Sequence, residues 1–320
     1  MSLIKKGFTL IELLVTVAIM LIVLSAVYMT YISVLKGYKK EAGIGSKTIE
    51  EQIGLELIRK DILLAGIGIP ITTQPISISG ANDNYTLTLL MTNSASSDKT
   101  QGYVLMSYDS IGKKFNLIQD NRVDNTVNNI VVLGTDKQFY TKGVLQNGTP
   151  KYISYDCSTI TNNTVAFGFP LKDSTSNYET VTYDLAASNL ARCFSGASNL
   201  VRNGMPIVNC VKGFKVYFGY DNNSDGTIDD YCENSICSAI NGATNMYTKL
   251  KSISVFILTH DGGKDNNFNY GSTSVSYQDT ETGKTITFTN LNNVPDYNRY
   301  RWKIIKVSGK TVNIRGTSYE

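Results

Sequence analysis

The chain has 320 residues, of which 30 are Lys or Arg and 27 are Asp or Glu, for a formal charge of +3. That near-balance argues against a nucleic-acid surface built on bulk positive charge. The single histidine, His260, offers no base arrangement for a serine or cysteine nucleophile. No glycine-rich phosphate loop, paired-carboxylate motif or cofactor signature is present either, so the chain reads as non-enzymatic. In chain order, Lys5 and Lys6 precede an apolar run over residues 8–35, 28 positions that carry one charge, Glu12. A bilayer core is crossed by about 20 apolar helical residues, so the run is long enough to span. A carboxylate in such a span costs roughly 2.5–3.5 kcal/mol at mid-membrane and less near the interface, so Glu12 calls for a partner. A secretory signal would be shorter and end in a small-residue cleavage site, for which Ser25-Ala26-Val27 is a poor match. Lys36, Lys39 and Lys40 read as a stop to insertion. With Lys5 and Lys6 at the other end, charge alone leaves the orientation open.

The helical pattern continues to about Ala65. Ile49, Ile53 and Leu57 recur four apart, and Leu55, Ile58 and Ile62 form an adjoining stripe, a width expected to pack on the protein's own sheet. Glu56 is spaced to pair with Lys60. Gly66, Gly68 and Pro70 supply the terminators. Residues 8–65, 58 in all, would form a rod of roughly 85 Å at 1.5 Å rise. Gly37, Gly43, Gly45 and Gly54 lie inside it, each costing about 1 kcal/mol relative to Ala. They mark either a loop that splits two helices or a point where one helix bends or melts.

Beyond residue 70 the composition turns to Asn, Ser, Thr, Gly and Tyr, with short β-forming runs between turn residues. Strands are expected at residues 86–91, 152–155, 165–169, 214–220, 252–258, 285–289 and 301–307. Phe214, Val216 and Phe218 alternate with Lys215 and Tyr217, as on a strand with one buried face. Val307-Ser308-Gly309-Lys310-Thr311 reads as a hairpin turn. Residues 92–101 and 261–274 read as long exposed loops. The tract Tyr297-Asn298-Arg299-Tyr300-Arg301-Trp302 mixes aromatic and basic residues, and packing of a terminal strand explains it better than DNA contact.

All five cysteines lie in this outer part. Cys232 and Cys237 enclose Glu-Asn-Ser-Ile and could close a small loop. Cys193 and Cys210 flank a connection into the Phe214 strand and form the second expected pair, which leaves Cys157 over. Zinc would need closer-spaced ligand pairs and usually histidine, and His260 is expected at the surface. The sharpest chemical signal here runs from Asp221 to Asp230. Asp221, Asn223 and Asp225 sit at alternate positions, Gly226 follows, Thr227 offers a carbonyl, and Asp229 offers a side chain or bridged water. This spacing suits a calcium loop, but the twelfth position, normally a bidentate Glu, is Cys232; Asp230 is the nearest substitute. An acidic turn without metal is the alternative.

Lys5-Lys6-Gly7-Phe8-Thr9-Leu10-Ile11-Glu12 resembles the type IV prepilin signal. The resemblance implies cutting after Gly7 by prepilin peptidase, N-methylation of Phe8, and pairing of Glu12 with the new α-amine of a neighbouring subunit. It also implies a leader left in the cytoplasm, a single-span inner-membrane precursor held in lipid before assembly, and later residence in an extracellular pilus. Filament pilins often melt near a proline; here any melting would centre on the glycines. Leu190-Ala191-Arg192-Cys193, the stretch from Val211 to Asp221, residues 56–66, and the end from Tyr300 through Gly316 resemble PilW-type minor pilins. The J-type pseudopilins of type II secretion share the build.

The fold expected is therefore α+β and pilin-like, a long N-terminal helix packed on a C-terminal antiparallel β-rich domain. Its parts are a leader at 1–7, a helix at 8–65 (8–35 transmembrane, 36–65 amphipathic) and an extracytoplasmic domain at 66–320. Implied partners are other pilins and minor pilins, prepilin peptidase and the inner-membrane assembly platform. The implied roles are pilus biogenesis and hence adhesion, twitching motility or DNA uptake. A secretion pseudopilin and a tip-located adhesin are the alternatives.

Overall fold

The computed structural model describes residues 9–92, 103–118, 129–171, 178–233 and 235–314. They fall into two compact units, Met1–Ile49 and Glu50–Glu320. An N-terminal apolar helix is followed by an antiparallel β-rich domain, an α+β arrangement. Helix α1 runs from Leu10 to Leu64 without a break at Gly37, Gly43 or Gly45, so no loop splits it. Just past its end Gly66 and Gly68 take φ of +79° and +65°. Gly66 N–H then donates to Leu90 O at 2.9 Å, and Thr92 N–H to Ile67 O at 3.0 Å.

Within the second unit, the strands in chain order are β1 (Ile76–Ala81), β2 (Asn84–Met91), β3 (Val104–Asp109), β4 (Lys114–Leu117), β5 (Asn129–Leu133) and β6 (Phe139–Val144). Then come β7 (Tyr152–Ser154), β8 (Val165–Pro170), β9 (Glu179–Ala187), β10 (Ser198–Arg202), β11 (Met205–Tyr220) and β12 (Asp230–Glu233). A short helix α2 (Ala243–Lys249) precedes β13 (Leu250–Asp261), and β14 (Val275–Gln278), β15 (Thr285–Phe288) and β16 (Arg301–Lys310) complete the set. The main sheet has the order β1-β2-β9-β10-β11-β13-β16, with β12 on β11. A second sheet has the order β6-β5-β8-β3-β4-β7, and β14 pairs with β15 alone. Pairings are antiparallel throughout, for example Val216 opposite Val255 and Val255 opposite Val307.

Each expected strand falls on an observed one. Strand β13 lies between β11 and the edge strand β16 and is buried on both faces, which is why residues 252–258 read as an almost continuous apolar run rather than an alternation. One face of the main sheet packs on Ile58, Ile62 and Ala65 of the helical region. The other face carries Phe256, Leu258 and Trp302 beneath Phe288, Leu291 and Val294. Of the two apolar stripes on the helix, the one through Leu55, Ile58 and Ile62 enters the core; Ile49 and Ile53 stay 61% and 68% exposed. Glu56 meets Arg59 at 4.0 Å, not the expected Lys60.

Two glycines set the distance between helix and sheet. A Cβ on Gly54 would lie 2.4 Å from Ile207 O, and one on Gly309 would lie 2.7 Å from Ile62 Cγ2. Gly54 is thus a point of close approach and not part of a weak stretch. Gly309 is likewise no turn residue. The hairpin expected at 307–311 is absent because β16 runs on to Lys310, with Gly309 opposite Ile253. The position needs Gly because Ile62 covers it.

A buried polar clamp joins the same elements. Asp61 is fully buried on α1 and bonds with Arg202 of β10 through Nε to Oδ2 and through Nη2 to Oδ1, the latter at 3.1 Å. Tyr183 of β9 donates its hydroxyl to Asp61 Oδ2 at 2.5 Å. Burial, then the Asp61 charge, pushes the Tyr183 pKa far up, so it stays a neutral donor. His260 corrects another expectation. It is fully buried, its ring 4.8 Å from Tyr300 and 5.8 Å from Trp302, because the end of β13 is roofed by the aromatic cluster of the second face.

Candidate functional site

Gly7 and Phe8 lie outside the described residues, so the site is read from Thr9 onward. Thr9 N–H donates to Glu12 Oε2 at 2.9 Å, and Glu12 N–H donates to Thr9 Oγ1 at 3.4 Å. These reciprocal bonds form a capping box, which satisfies orphan donors at the start of α1. The Thr9 hydroxyl also donates to Oε2, at 2.8 Å. All bonds received by the carboxylate land on Oε2; among the described residues none is seen on Oε1.

The helix that follows is apolar on every side. Leu10–Leu35 is 26 residues long with a mean hydropathy of 2.8, and none of its most apolar window is buried within the chain. Three of its hydroxyls are absorbed by the helix itself. Thr16 Oγ1 donates to Leu13 O at 2.8 Å, Ser25 Oγ to Ile22 O at 2.8 Å and Thr30 Oγ1 to Ala26 O at 2.9 Å. In lipid every polar group needs such an internal partner. Length and composition therefore make the segment suited to a bilayer.

Residues 4–28 match the family model of the prokaryotic N-terminal methylation motif. The chain carries this motif. It belongs to precursors of type IV pilin-like and pseudopilin subunits, which are processed by prepilin peptidase and assemble with other pilins. A membrane-anchored precursor is consistent with both the motif and the apolar helix. No curated protein and no solved structure matches the chain.

In the second unit, Cys193 is bonded to Cys210 and Cys232 to Cys237, with Cα separations of 5.0 and 5.7 Å. The first bridge closes a separation of 17 residues, worth about 3 kcal/mol in the chain-entropy account. Cys157 remains a free thiol, its Sγ 3.0 Å from Thr159 Oγ1.

The acidic loop is closed by its own hydrogen bonds. Asp221 accepts from Ser224 N–H at 2.6 Å and Gly226 N–H at 2.8 Å, and Asp225 accepts from Thr227 N–H at 2.8 Å. Asn223 Oδ1 accepts from Asp225 N–H at 3.0 Å, and Asp229 accepts from Asn222 N–H at 2.7 Å. Lys251 sits 3.3 Å from Asp221. Burial alone would raise the Asp221 carboxyl, but the Gly226 N–H and Lys251 hold it below the usual carboxylate range. Asp230 turns away to Lys284 at 3.0 Å, and Cys232 is held in its disulfide, so neither serves as the twelfth ligand. Among the described residues no three His, Cys, Asp or Glu side chains gather as a metal site.

The tract 297–302 is structural: Tyr300 and Trp302 are buried, and Trp302 Nε1 donates to Tyr297 O at 2.8 Å. Arg299 donates to Asn266 O and Arg301 pairs with Asp265, both within the domain. Sequence reasoning missed the capping role of Glu12 and the Asp61 clamp. The first had a signal, Thr-x-x-Glu before an apolar run.

Proposed function

We propose that the chain is a structural, non-enzymatic minor pilin of a type IV pilus, cut after Gly7, methylated on Phe8 and assembled through its N-terminal helix. The observation that carries this reading is the capped helix Leu10–Leu35, apolar on all sides and uncovered by its own chain. Such a helix needs an apolar surrounding, which is lipid before assembly and neighbouring pilin helices afterwards. Glu12 sits at its start with Oε1 open toward a neighbour's Phe8 amine. The PilW-type assignment rests on the downstream resemblance alone, and adhesion, motility or DNA uptake would follow from the pilus rather than from a site of this chain. The test is mass spectrometry of the mature N-terminus together with immunoblotting of sheared filaments. Methylated Phe8 at the N-terminus and recovery with the filaments are expected. An uncut chain, or a cut chain found only in secretion complexes, overturns the reading.

For the acidic loop we propose calcium at millimolar level, supported by oxygen donors at alternate positions and by the Asp221–Gly226 bond that shapes the turn. Lys251 occupies Asp221 and must move aside, which keeps affinity low. Calcium is expected to raise the melting temperature by a few degrees over chelator, and more so in Lys251→Met. No rise in either protein overturns the proposal.

A further inference from the structure

Beyond the end of α1, the second unit carries a half-open pocket of about 700 Å³. That volume is typical of small-molecule sites, which run about 300–1,000 Å³. Ile67 and Leu133 line it together with Tyr103, Phe167 and Phe169. The Tyr103 ring meets Phe167 edge-on at 4.9 Å and lies 6.1 Å from Phe169, so one wall is aromatic. This lining would suit any apolar molecule. Among the described residues the lining holds one cation, Lys137.

Lys137 lines the cavity and is fixed there by its backbone. It takes φ of +61°, its N–H donates to Gly134 O at 3.0 Å, and its carbonyl accepts from Ile71 N–H at 3.2 Å. Its Nζ donates to Asn313 O and lies 5.1 Å over the Tyr247 ring. An ammonium carries three N–H donors, and among the described residues this one meets one carbonyl and one ring face. Among the described residues no carboxylate forms an ion pair with Lys137; Asp136, also in the lining, accepts from Gln138 N–H at 3.1 Å. Burial pushes the amine down to about 8 with no neighbouring charge opposing it. A half-buried ammonium short of carboxylate partners loses part of its hydration, and an incoming anion relieves that cost.

The geometry points to a binding site for a small apolar monocarboxylate, its carboxylate on Lys137 Nζ and its aromatic or aliphatic body along Phe167 and Phe169. Asp136 and Tyr103 are the titratable groups that share the lining with Lys137, and Tyr247 lies under its amine, held neutral by burial well above the working range. Binding therefore follows the charge on Lys137. It is full below the free amine's value of about 8 and declines as pH rises through it.

The test uses the full-length protein in nanodiscs, empty nanodiscs as the blank, and naphthoate against its neutral amide as probes. Calorimetry reads affinity, and mass spectrometry reads protection of Lys137 from acetylation. Naphthoate should bind at least about tenfold more tightly than naphthamide, protect Lys137, and weaken between pH 7 and pH 9.5, while the amide shows no pH dependence. Lys137→Met should abolish the preference for naphthoate. Phe167→Ala, at a half-exposed position and scored for folding by its melting temperature, should weaken both probes equally. Equal binding of acid and amide, absence of Lys137 protection at millimolar naphthoate, or an affinity flat across pH 8 overturns the proposal.

Discussion

Arg202→Met is expected to lower the unfolding free energy by about 3–5 kcal/mol, the largest effect of any single polar substitution in the outer domain. The substitution keeps most of the side-chain volume and removes the guanidinium, which takes from the buried Asp61 carboxylate its paired cation and leaves it the Tyr183 hydroxyl as a donor. The Asp61 side chain is 0% exposed and that of Arg202 is 7% exposed, so water cannot take over the lost bonds. Asp61→Leu should also be costly because it takes the bidentate carboxylate from a buried guanidinium. The combination Asp61→Leu, Arg202→Met and Tyr183→Phe removes these three polar groups together and should recover most of the loss, since an apolar replacement of a buried pair is often neutral. Urea unfolding of the full chain in detergent, followed by the fluorescence of the single tryptophan, Trp302, measures all of them. A cost under about 1 kcal/mol for Arg202→Met would mean that the clamp orders the interface without stabilising it.

That clamp also shows where reading the chain stops short. In sequence, Asp61 follows Lys60 in an amphipathic helix and looks like one more solvated charge. Its partner lies 141 positions away, and no local period links the two. Gly54 is a related case. Helix propensity assigns it a cost, but only the nearness of Ile207 O shows what that cost secures. Strand β9 carries its alternation openly, with Val181 and Tyr183 buried between Thr180, Thr182 and Asp184, yet its Asn- and Ser-rich flanks conceal it beside the stronger runs. The second sheet is harder still, because β6 contains Lys142 and Gly143 at an edge where little is buried. By contrast, the apolar run, its single acid and the terminators at Gly66 and Gly68 were legible from residue type alone. Their physics is local: transfer into lipid, capping, and left-handed backbone.

Glu12→Ala is expected to leave cutting after Gly7 largely intact and to remove the subunit from sheared filaments. By itself that result has two explanations, because the structure gives Glu12 a second task in the Thr9 capping box. Alanine removes both the negative charge and the acceptor that serves Thr9 N–H. Losing a cap costs about 0.5–2 kcal/mol, enough to fray the first turn and displace the helix start. Glu12→Gln separates the two roles, since glutamine also closes a capping box but carries no charge. If Glu12 acts by pairing with the neighbouring Phe8 amine, Gln should fail nearly as badly as Ala, with incorporation near background in immunoblots of sheared filaments. If capping is what assembly requires, Gln should assemble almost normally while Thr9→Val, which removes the hydroxyl, assembles poorly. Glu12→Asp sharpens the test, since it keeps the charge but is one methylene too short to reach back to Thr9 as glutamate does. Assembly of the Asp variant with failure of the Gln variant would place the requirement on charge. The open Oε1 is the reason to expect that outcome: the capping bonds end on Oε2, so one carboxylate can hold its own helix and meet a neighbour's amine together.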